Sequence, residues 1–183
     1  MFDDGRSKQI LFAAHCILNQ NSISDGTAVF PGACREVMDV LTASRVGVVQ
    51  MPCPELMCLG LDRGNPRGGS FPVVEENTRI RACLGRDAVK LRIQQMVQDL
   101  VYQILEYKKY GFQPMGIIGV NRSPSCGVDT TSENNMEIKG KGVFMEALTA
   151  ALKNNQIAIR VMGIKFSEIP EAVRAVNSLL NNP

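Results

Sequence analysis

The sequence has no tryptophan, a single histidine and little net charge, because 20 Lys and Arg residues nearly balance 18 Asp and Glu residues. Such an even charge does not favour a protein that coats nucleic acid or binds an anionic membrane surface, although RNA as a substrate is not excluded. Long hydrophobic runs are also missing, since no apolar stretch approaches the roughly 20 residues that cross a bilayer. Residues 1–8 are charged and precede only a short apolar run, which is unlike a signal peptide. We therefore expect a cytoplasmic protein without a membrane partner.

The length of 183 residues and the hydrophobic content of 45% suit one ordinary domain, which we expect to span residues 1–183. A chain of this size buries roughly 70% of the surface that it exposes when unfolded, which is enough for a stable core. In a cytoplasmic protein the six cysteines are expected to be reduced thiols, and such thiols more often bind metal or act in catalysis than form disulfides. Nothing in the sequence indicates an oligomeric state.

Apolar stretches alternate with helical patterns along the chain. Four stretches rich in β-branched residues predict buried strands, at residues 10–17, 46–51, 115–120 and 157–164. Helical patterns predict helices at residues 32–44, 87–110, 142–154 and 170–180. Strands that alternate with helices are typical of an α/β fold in which helices cover a mainly parallel sheet.

Two stretches, residues 54–86 and 121–141, interrupt this alternation. The first is rich in Gly and Pro, and the second contains Ser, Pro and Gly without apolar periodicity, so both are predicted to be long loops. Each follows a predicted strand directly. Because ligands of open α/β sheets bind outside the carboxyl ends of the strands, we expect these loops to form a functional site.

Three of the cysteines, Cys16, Cys53 and Cys126, end or follow the first three predicted strands. Carboxyl ends of neighbouring parallel strands meet at one edge of a sheet, so we expect the three thiols to converge. Distant cysteines that meet in space are what a thiolate metal site requires, and three ligands would leave a position open on either zinc or an iron–sulfur cluster. The alternative is that they are buried small hydrophobic residues, as free cysteines often are.

The other three cysteines lack this placement. Cys34 falls in a predicted helix and is expected in the core. Cys58 is expected to pack between apolar neighbours, although it could supply a further ligand or a resolving thiol. Cys83 lies in a predicted loop without a nearby companion, and no mechanism suggests itself for it.

Three separated motifs surround the first set of cysteines and together cover most of residues 10–165. They are Cys16 with Asp25-Gly26 downstream, Cys53-Pro54-Glu55, and Ser123-Pro124-Ser125-Cys126-Gly127. On these motifs the chain resembles the thiouracil desulfidase family and related desulfidases, formerly a domain of unknown function. The third motif is the most specific of the three.

The resemblance implies a single Rossmann-like three-layer domain that holds a [4Fe-4S] cluster by three cysteines, which are Cys16, Cys53 and Cys126 here. The fourth iron then has no protein ligand, and in the family it is thought to act as a Lewis acid that takes sulfur from a thiocarbonyl without net redox change. The implied function is an iron–sulfur-dependent desulfidase that converts C=S to C=O and releases sulfide. The family commonly has Arg-Tyr before its Asp-Gly, where this chain has Ile23-Ser24. The expected substrate is therefore a small thiolated base, nucleoside or thioamide rather than thiouracil in particular, and a thiolated RNA stays open.

Replacing C=S by C=O requires proton transfer to and from water and substrate, which carboxyl and hydroxyl groups perform. Glu55 is the catalytic candidate for proton transfer, with fixing of its loop through backbone amides as the alternative role. Ser123 is the second catalytic candidate, because its hydroxyl could donate to a thiocarbonyl or cluster sulfur, with turn formation as the alternative. The candidates for substrate binding are Asn19, Asp25 and Ser125, although Asp25 suits a turn better.

His15 and the arginines of residues 63–86 are given structural interpretations. Strand alternation places His15 on the opposite face from Cys16, where it is expected to pack rather than to act as a base. The arginines could contact a phosphate or carboxylate of a substrate, but a solvated surface is the preferred interpretation.

Two further hypotheses stay open at the level of the sequence. One is a non-catalytic iron–sulfur or metal-binding protein, such as a sensor or a sulfur carrier. The other is a zinc or metal-free hydrolase-like protein that uses Cys126 as a nucleophile, for which a nearby histidine base would be expected.

Overall fold

The computed structural model describes residues 2–181 of the chain. Strands and helices follow one another in the order β1 (Gln9–Ala13), α1 (His15–Leu18), α2 (Arg35–Ala43), β2 (Gly47–Gln50), α3 (Pro54–Leu59), α4 (Val73–Leu84), α5 (Asp87–Lys109), β3 (Gln113–Val120), β4 (Thr130–Glu133), β5 (Met136–Lys139), α6 (Val143–Asn154), β6 (Val161–Ile164) and α7 (Ile169–Asn181). Short 3₁₀ helices occur at Gln20–Ser22 and Gly68–Ser70.

Four strands form a parallel sheet in the order β2-β1-β3-β6, and β4 and β5 form a separate antiparallel pair. The predicted α/β class and mainly parallel sheet are thereby confirmed. The central strands β1 and β3 pair directly, with Phe12 opposite Ile117, and most of their residues are buried, as in parallel sheets covered by helices. The prediction of a first strand at residues 10–17 is wrong at its end, because the chain leaves the sheet after Ala13 and α1 begins at His15.

Two glycines of β3 show how helices cover the sheet. A Cβ atom on Gly116 would lie 2.8 Å from the side chain of Leu179 in α7, and one on Gly119 would lie 3.0 Å from Met145 in α6. Side chains alternate along a strand, so positions 116 and 119 face opposite sides of the sheet. α6 and α7 therefore pack against opposite faces, with α5 beside α6 and α2 beside α7.

The buried apolar side chains of residues 2–181 form one continuous core, which includes Phe12, Leu100 and Val176. Burial of an apolar side chain of this size contributes roughly 1.5–3 kcal/mol. The predicted domain of residues 1–183 also includes residues 1, 182 and 183, which lie outside the described part of the chain. Within that described part, no helix has both the length and the apolar character needed to cross a membrane.

The two stretches predicted as long loops contain regular structure. α3 and α4 lie within residues 54–86, and the β4–β5 hairpin lies within residues 121–141. Pro54 lies in the first turn of α3, where a backbone N–H would have no acceptor within the helix, so proline costs no hydrogen bond there. Pro72 directly precedes α4. Asn134 and Asn135 have φ values of 51° and 59°, as the two-residue turn of a hairpin requires. These prolines and asparagines mark where helices and strands begin or end, which the spacing of apolar residues does not reveal.

Candidate active site

Three cysteines lie just past the carboxyl ends of three adjacent strands. Cys16 is in α1 directly after β1, Cys53 lies between β2 and α3, and Cys126 lies in the loop after β3. All three line one cavity of about 240 Å³. β1 has β2 on one side and β3 on the other, and open α/β sheets bind ligands at such a switch point in strand order. The predicted convergence is found, although Cys16 lies on a short helix rather than at the end of a strand.

Cys126 is buried and Cys16 and Cys53 are half-buried, and the three thiols influence one another electrostatically. Burial raises the pKa of Cys16 well above its usual value, and the proximity of Cys126, Cys53 and Glu55 adds to the effect. Burial likewise raises the pKa of Cys53 to about 11, with Glu55 as a further cause. The pKa of Cys126 is raised by burial and by Cys53, against a smaller lowering effect of the neighbouring Ser125 hydroxyl. Without a bound cation these thiols are therefore neutral near pH 7, because their thiolates would lie unpaired in a poorly solvated place.

The three thiols form a set of donors that can be compared with known metal centres. Among residues 2–181, no three or more His, Cys, Asp or Glu side chains are arranged to hold one metal ion. Thiolates around a single zinc lie about 4 Å apart, given a Zn–S distance of about 2.3 Å and tetrahedral geometry. Ligands of a [4Fe-4S] cluster bind different irons and stand farther apart. Three thiols around one cavity suit a cluster in kind and number of ligands.

Glu55 connects the segments that carry the cysteines. Its side chain is buried at the start of α3, and its carboxylate accepts hydrogen bonds from four side chains. Ser125 Oγ lies 2.6 Å and Ser123 Oγ 3.3 Å from Oε1, whereas Ser24 Oγ lies 3.0 Å and Arg63 Nε 3.3 Å from Oε2. These donors come from three other loops and replace the water that the carboxylate loses on burial. Glu55 thus holds the loops after β1, α3 and β3 together.

Ser123 and Ser125 shape the loop that carries Cys126. Ser123 Oγ accepts hydrogen bonds from the backbone N–H groups of Ser125, at 3.2 Å, and of Cys126, at 3.0 Å. Ser125 Oγ lies 2.6 Å from the Glu55 carboxylate and 3.6 Å from Cys126 Sγ. Because a hydroxyl has one hydrogen and the carboxylate is the nearer and stronger acceptor, Ser125 donates to Glu55. Both serines therefore form the turn and also contact the candidate proton acceptor.

The start of α6 holds the same loop from its other side. The backbone N–H of Val143 donates to the carbonyl oxygen of Pro124, at 3.0 Å, and that of Phe144 donates to the carbonyl oxygen of Ser125, at 3.1 Å. The first N–H groups of a helix have no partner within the helix, so the loop caps α6. Gly142 permits the close approach, since a Cβ atom there would lie 2.5 Å from the Ser125 carbonyl oxygen.

Arg63 and Ser24 are site residues that the sequence interpretation missed. The prediction of a solvated surface is wrong for Arg63, whose side chain is 2% exposed and lines the cavity, whereas Arg67 and Arg86 are exposed as expected. Arg63 is buried by contacts with segments that are distant in sequence, so no local pattern marks it. One feature of the sequence could have pointed to Ser24 as a residue of the site: it carries a hydroxyl group and directly precedes the Asp25-Gly26 turn.

Two of the predicted substrate-binding residues are not among the residues that line the cavity. The side chain of Asn19 accepts a hydrogen bond from the backbone N–H of Asn21 at 3.1 Å and so caps a 3₁₀ helix. Asp25 is exposed, and its Oδ2 accepts a hydrogen bond from the backbone N–H of Gly69 at 3.1 Å. Their part in substrate binding stays a prediction. Ser125, the third such residue, does line the cavity.

His15 lines the cavity, contrary to the prediction that it faces away from Cys16. The prediction assumed strand alternation, but both residues lie on the short helix α1. Burial lowers the pKa of His15, against a smaller raising effect of a hydrogen bond with the backbone of Met51. His15 is therefore a neutral imidazole near pH 7.

The remaining cysteines are structural by their surroundings. Cys34 is completely buried in the core, as predicted, and Cys58 packs against that core. Cys83 lies in α4 rather than in a loop, with Arg79 Nη1 at 3.6 Å from its Sγ.

Comparisons with known proteins give distant relatives. No protein-family model matches the chain. An uncharacterized protein of Methanocaldococcus jannaschii is 27% identical over 157 residues, which are 86% of this chain and 86% of that protein. A solved structure of the [4Fe-4S]-dependent thiouracil desulfidase TudS (DUF523Vcz) is similar over 93% of this chain and 99% of the other, with a TM-score of 0.46 and 18% identity. A likeness this distant carries no argument about the activity of this chain.

Proposed function

We propose that this protein is a [4Fe-4S]-dependent desulfidase that removes sulfur from a small thiocarbonyl compound and releases sulfide. The observation that carries the proposal is the presence of three thiols and one buried carboxylate, those of Cys16, Cys53, Cys126 and Glu55, around a single cavity. The motifs that these residues share with desulfidases point the same way. The proposal includes a Rossmann-like three-layer arrangement, supported by the packing of α6 and α7 on opposite faces of the sheet. It also includes a cytoplasmic location, where free thiols persist.

The ligands of the cluster would be the thiolates of Cys16, Cys53 and Cys126. When bound, the cluster supplies one iron without a protein ligand, which acts as a Lewis acid toward the sulfur of the substrate. Because binding requires deprotonated thiols, loading of the protein releases protons and becomes more favourable as the pH rises.

The contact between Glu55 and Ser125 supports a role for this pair in moving the proton of an attacking water. The overall change, C=S plus H₂O to C=O plus H₂S, requires that water lose a proton as its oxygen bonds to carbon. Ser125 Oγ lies 2.6 Å from Glu55 Oε1, so Ser125 passes its proton to Glu55 as it takes one from the water. Ser123 Oγ shares the same carboxylate oxygen at 3.3 Å, lines the cavity and can turn its hydroxyl toward a bound substrate.

The cavity favours a small and largely apolar substrate. Its volume of about 240 Å³ lies below the roughly 300–1,000 Å³ of pockets for drug-sized ligands. Its apolar lining includes Ile23, Val29, Val73 and Phe166. We therefore propose a thiolated base, nucleoside or thioamide as the substrate.

Sulfide release from a panel of such compounds, measured with anaerobically reconstituted protein, tests the proposal. At least one compound should yield sulfide and the matching C=O product, and Glu55→Gln should abolish this release by removing the proton acceptor. Glu75→Gln is the matched control, because Glu75 is exposed in α4. A protein that holds the cluster but releases sulfide from none of them would support a sensor or sulfur carrier instead.

A further inference from the structure

Every N–H donor of the buried Arg63 guanidinium has an acceptor. Nε donates to Glu55 Oε2 at 3.3 Å, and Nη1 donates to the carbonyl oxygens of Gly60 and Leu61 at 3.0 and 2.9 Å. Nη2 donates to the carbonyl oxygen of Ser22 and lies 3.9 Å from Cys53 Sγ. A guanidinium has five N–H groups in a fixed plane, so all five are used within the protein. Lysine, with three donors on a single nitrogen, cannot reproduce this set.

Because all of its N–H groups are used within the protein, Arg63 is not expected to bind substrate. Arg63 lines the cavity, but it has no N–H left for a ligand. The backbone of Arg63 has a φ of 54°, which is a left-handed conformation that costs energy for a residue with a side chain. In this conformation the guanidinium is buried at the cavity. A second arginine fixes that loop, since Arg79 Nη2 donates to the carbonyl oxygen of Arg63 at 2.8 Å.

We propose that Arg63 is the positioning residue of the site, which fixes Cys53 and Glu55 relative to each other and makes the cluster easier to reduce. The inference rests on the proposed function, because the second effect requires a cluster. Reduction adds a negative charge, and an N–H directed at a ligand sulfur together with a fixed positive charge stabilises that charge. By fixing Cys53 and Glu55 relative to each other, Arg63 positions the Glu55 carboxylate for proton transfer without contacting the substrate.

The cluster reduction potential, measured in anaerobically reconstituted protein, tests the inference apart from activity. Arg63→Gln should lower the ratio of reduced to oxidised cluster at a fixed potential about tenfold, which is about 59 mV for a one-electron couple. Glu55→Gln/Arg63→Gln removes both buried charges and leaves neither unpaired, so it keeps the fold if the single change does not. Loss of the Glu55 carboxylate by itself makes reduction easier, so the potential of the double variant is compared with that of Glu55→Gln alone. It should lie below that value, because the positive charge and the N–H at Cys53 Sγ are both lost. Arg86→Gln, at an exposed arginine, should leave the potential unchanged.

Steady-state kinetics of sulfide release give a second readout. A positioning role predicts that Arg63→Gln lowers kcat about tenfold or more while KM stays within about twofold, and that Arg63→Lys does not restore kcat. If KM rises and kcat does not change, Arg63 binds substrate and the inference is wrong. If Arg63→Gln keeps the potential of the unchanged protein and the double variant keeps that of Glu55→Gln alone, the inference is wrong although the proposed function stands. If the unchanged protein takes up no iron, the proposed function itself fails.

Discussion

Replacing Gly142 by alanine tests how α6 holds the loop of Cys126. A Cβ atom at this position would lie 2.5 Å from the carbonyl oxygen of Ser125 and 2.9 Å from the backbone nitrogen of Cys126, whereas ordinary contacts begin at 3.4 Å. The loop or the helix must therefore move by about 1 Å, because backbone atoms cannot turn aside as a flexible side chain can. Gly142 has a φ of −68°, which alanine adopts freely, so the clash alone determines the result.

We expect Gly142→Ala to lower the free energy of unfolding of the metal-free protein by about 1–3 kcal/mol, the usual cost of overpacking. Urea denaturation followed by circular dichroism measures this change. A displacement of about 1 Å at Ser125 should also slow sulfide release by about 100-fold. Gly32→Ala is the matched control, because a Cβ atom there meets nothing within 4 Å and φ is not positive. Equal unfolding free energies for the two variants would refute the reasoning.

Other substitutions test single contacts of the site. Burial raises the pKa of Cys53 from 9.0 to about 11, so the neutral thiol's contribution to the stability of the metal-free protein is complete below pH 9.0 and is lost as the pH rises through about 11. Between about pH 8 and about pH 11, the free energy of unfolding measured in urea should fall less for Cys53→Ala than for the unchanged protein, by up to about 3 kcal/mol. An equal fall for the two proteins would contradict this prediction. Ser24→Ala removes a donor to Glu55 and should lower the free energy of unfolding by about 1.5–3 kcal/mol, with an unchanged value showing that the bond does not stabilise the fold. Gly163→Ala places a Cβ atom 2.5 Å from Asn121 Cγ, and Asn121 is held by hydrogen bonds from the backbone of Val128 and Asp129. The change should cost about 1–3 kcal/mol in the same assay, and an unchanged value would show that Asn121 moves aside.

The sequence could predict the sheet and the shared position of the three cysteines because both depend on local signals. Runs of β-branched residues mark the central strands, and the order of strands and helices makes the sheet parallel. Once the sheet is parallel, residues just past the strands share one edge, so Cys16, Cys53 and Cys126 could be placed together without knowledge of the loops. The end of the first strand was less predictable, because the apolar run continues through Ala14 and Ile17 into α1.

The inner network of the site could not be predicted because it depends on contacts between distant segments. Glu55 and Arg63 are separated only by the rest of α3 and a turn, whereas Ser24 and Ser125 lie 31 and 70 residues from Glu55 in the sequence. An arginine in a glycine-rich loop is usually exposed, and Arg63 differs from Arg67 only in the direction that the folded loop gives it. The hairpin was predictable in principle, since two adjacent asparagines suit a two-residue turn.

Iron and acid-labile sulfide analysis of anaerobically reconstituted protein decides whether the chain holds a [4Fe-4S] cluster. We expect about four iron atoms and about four sulfides per chain. Replacing Cys16, Cys53 or Cys126 by alanine should remove them, whereas replacing Cys34 or Cys83, which do not line the cavity, should not. A protein that takes up zinc but no iron, or one whose iron content survives the loss of Cys126, would show that the three cysteines do not hold a [4Fe-4S] cluster.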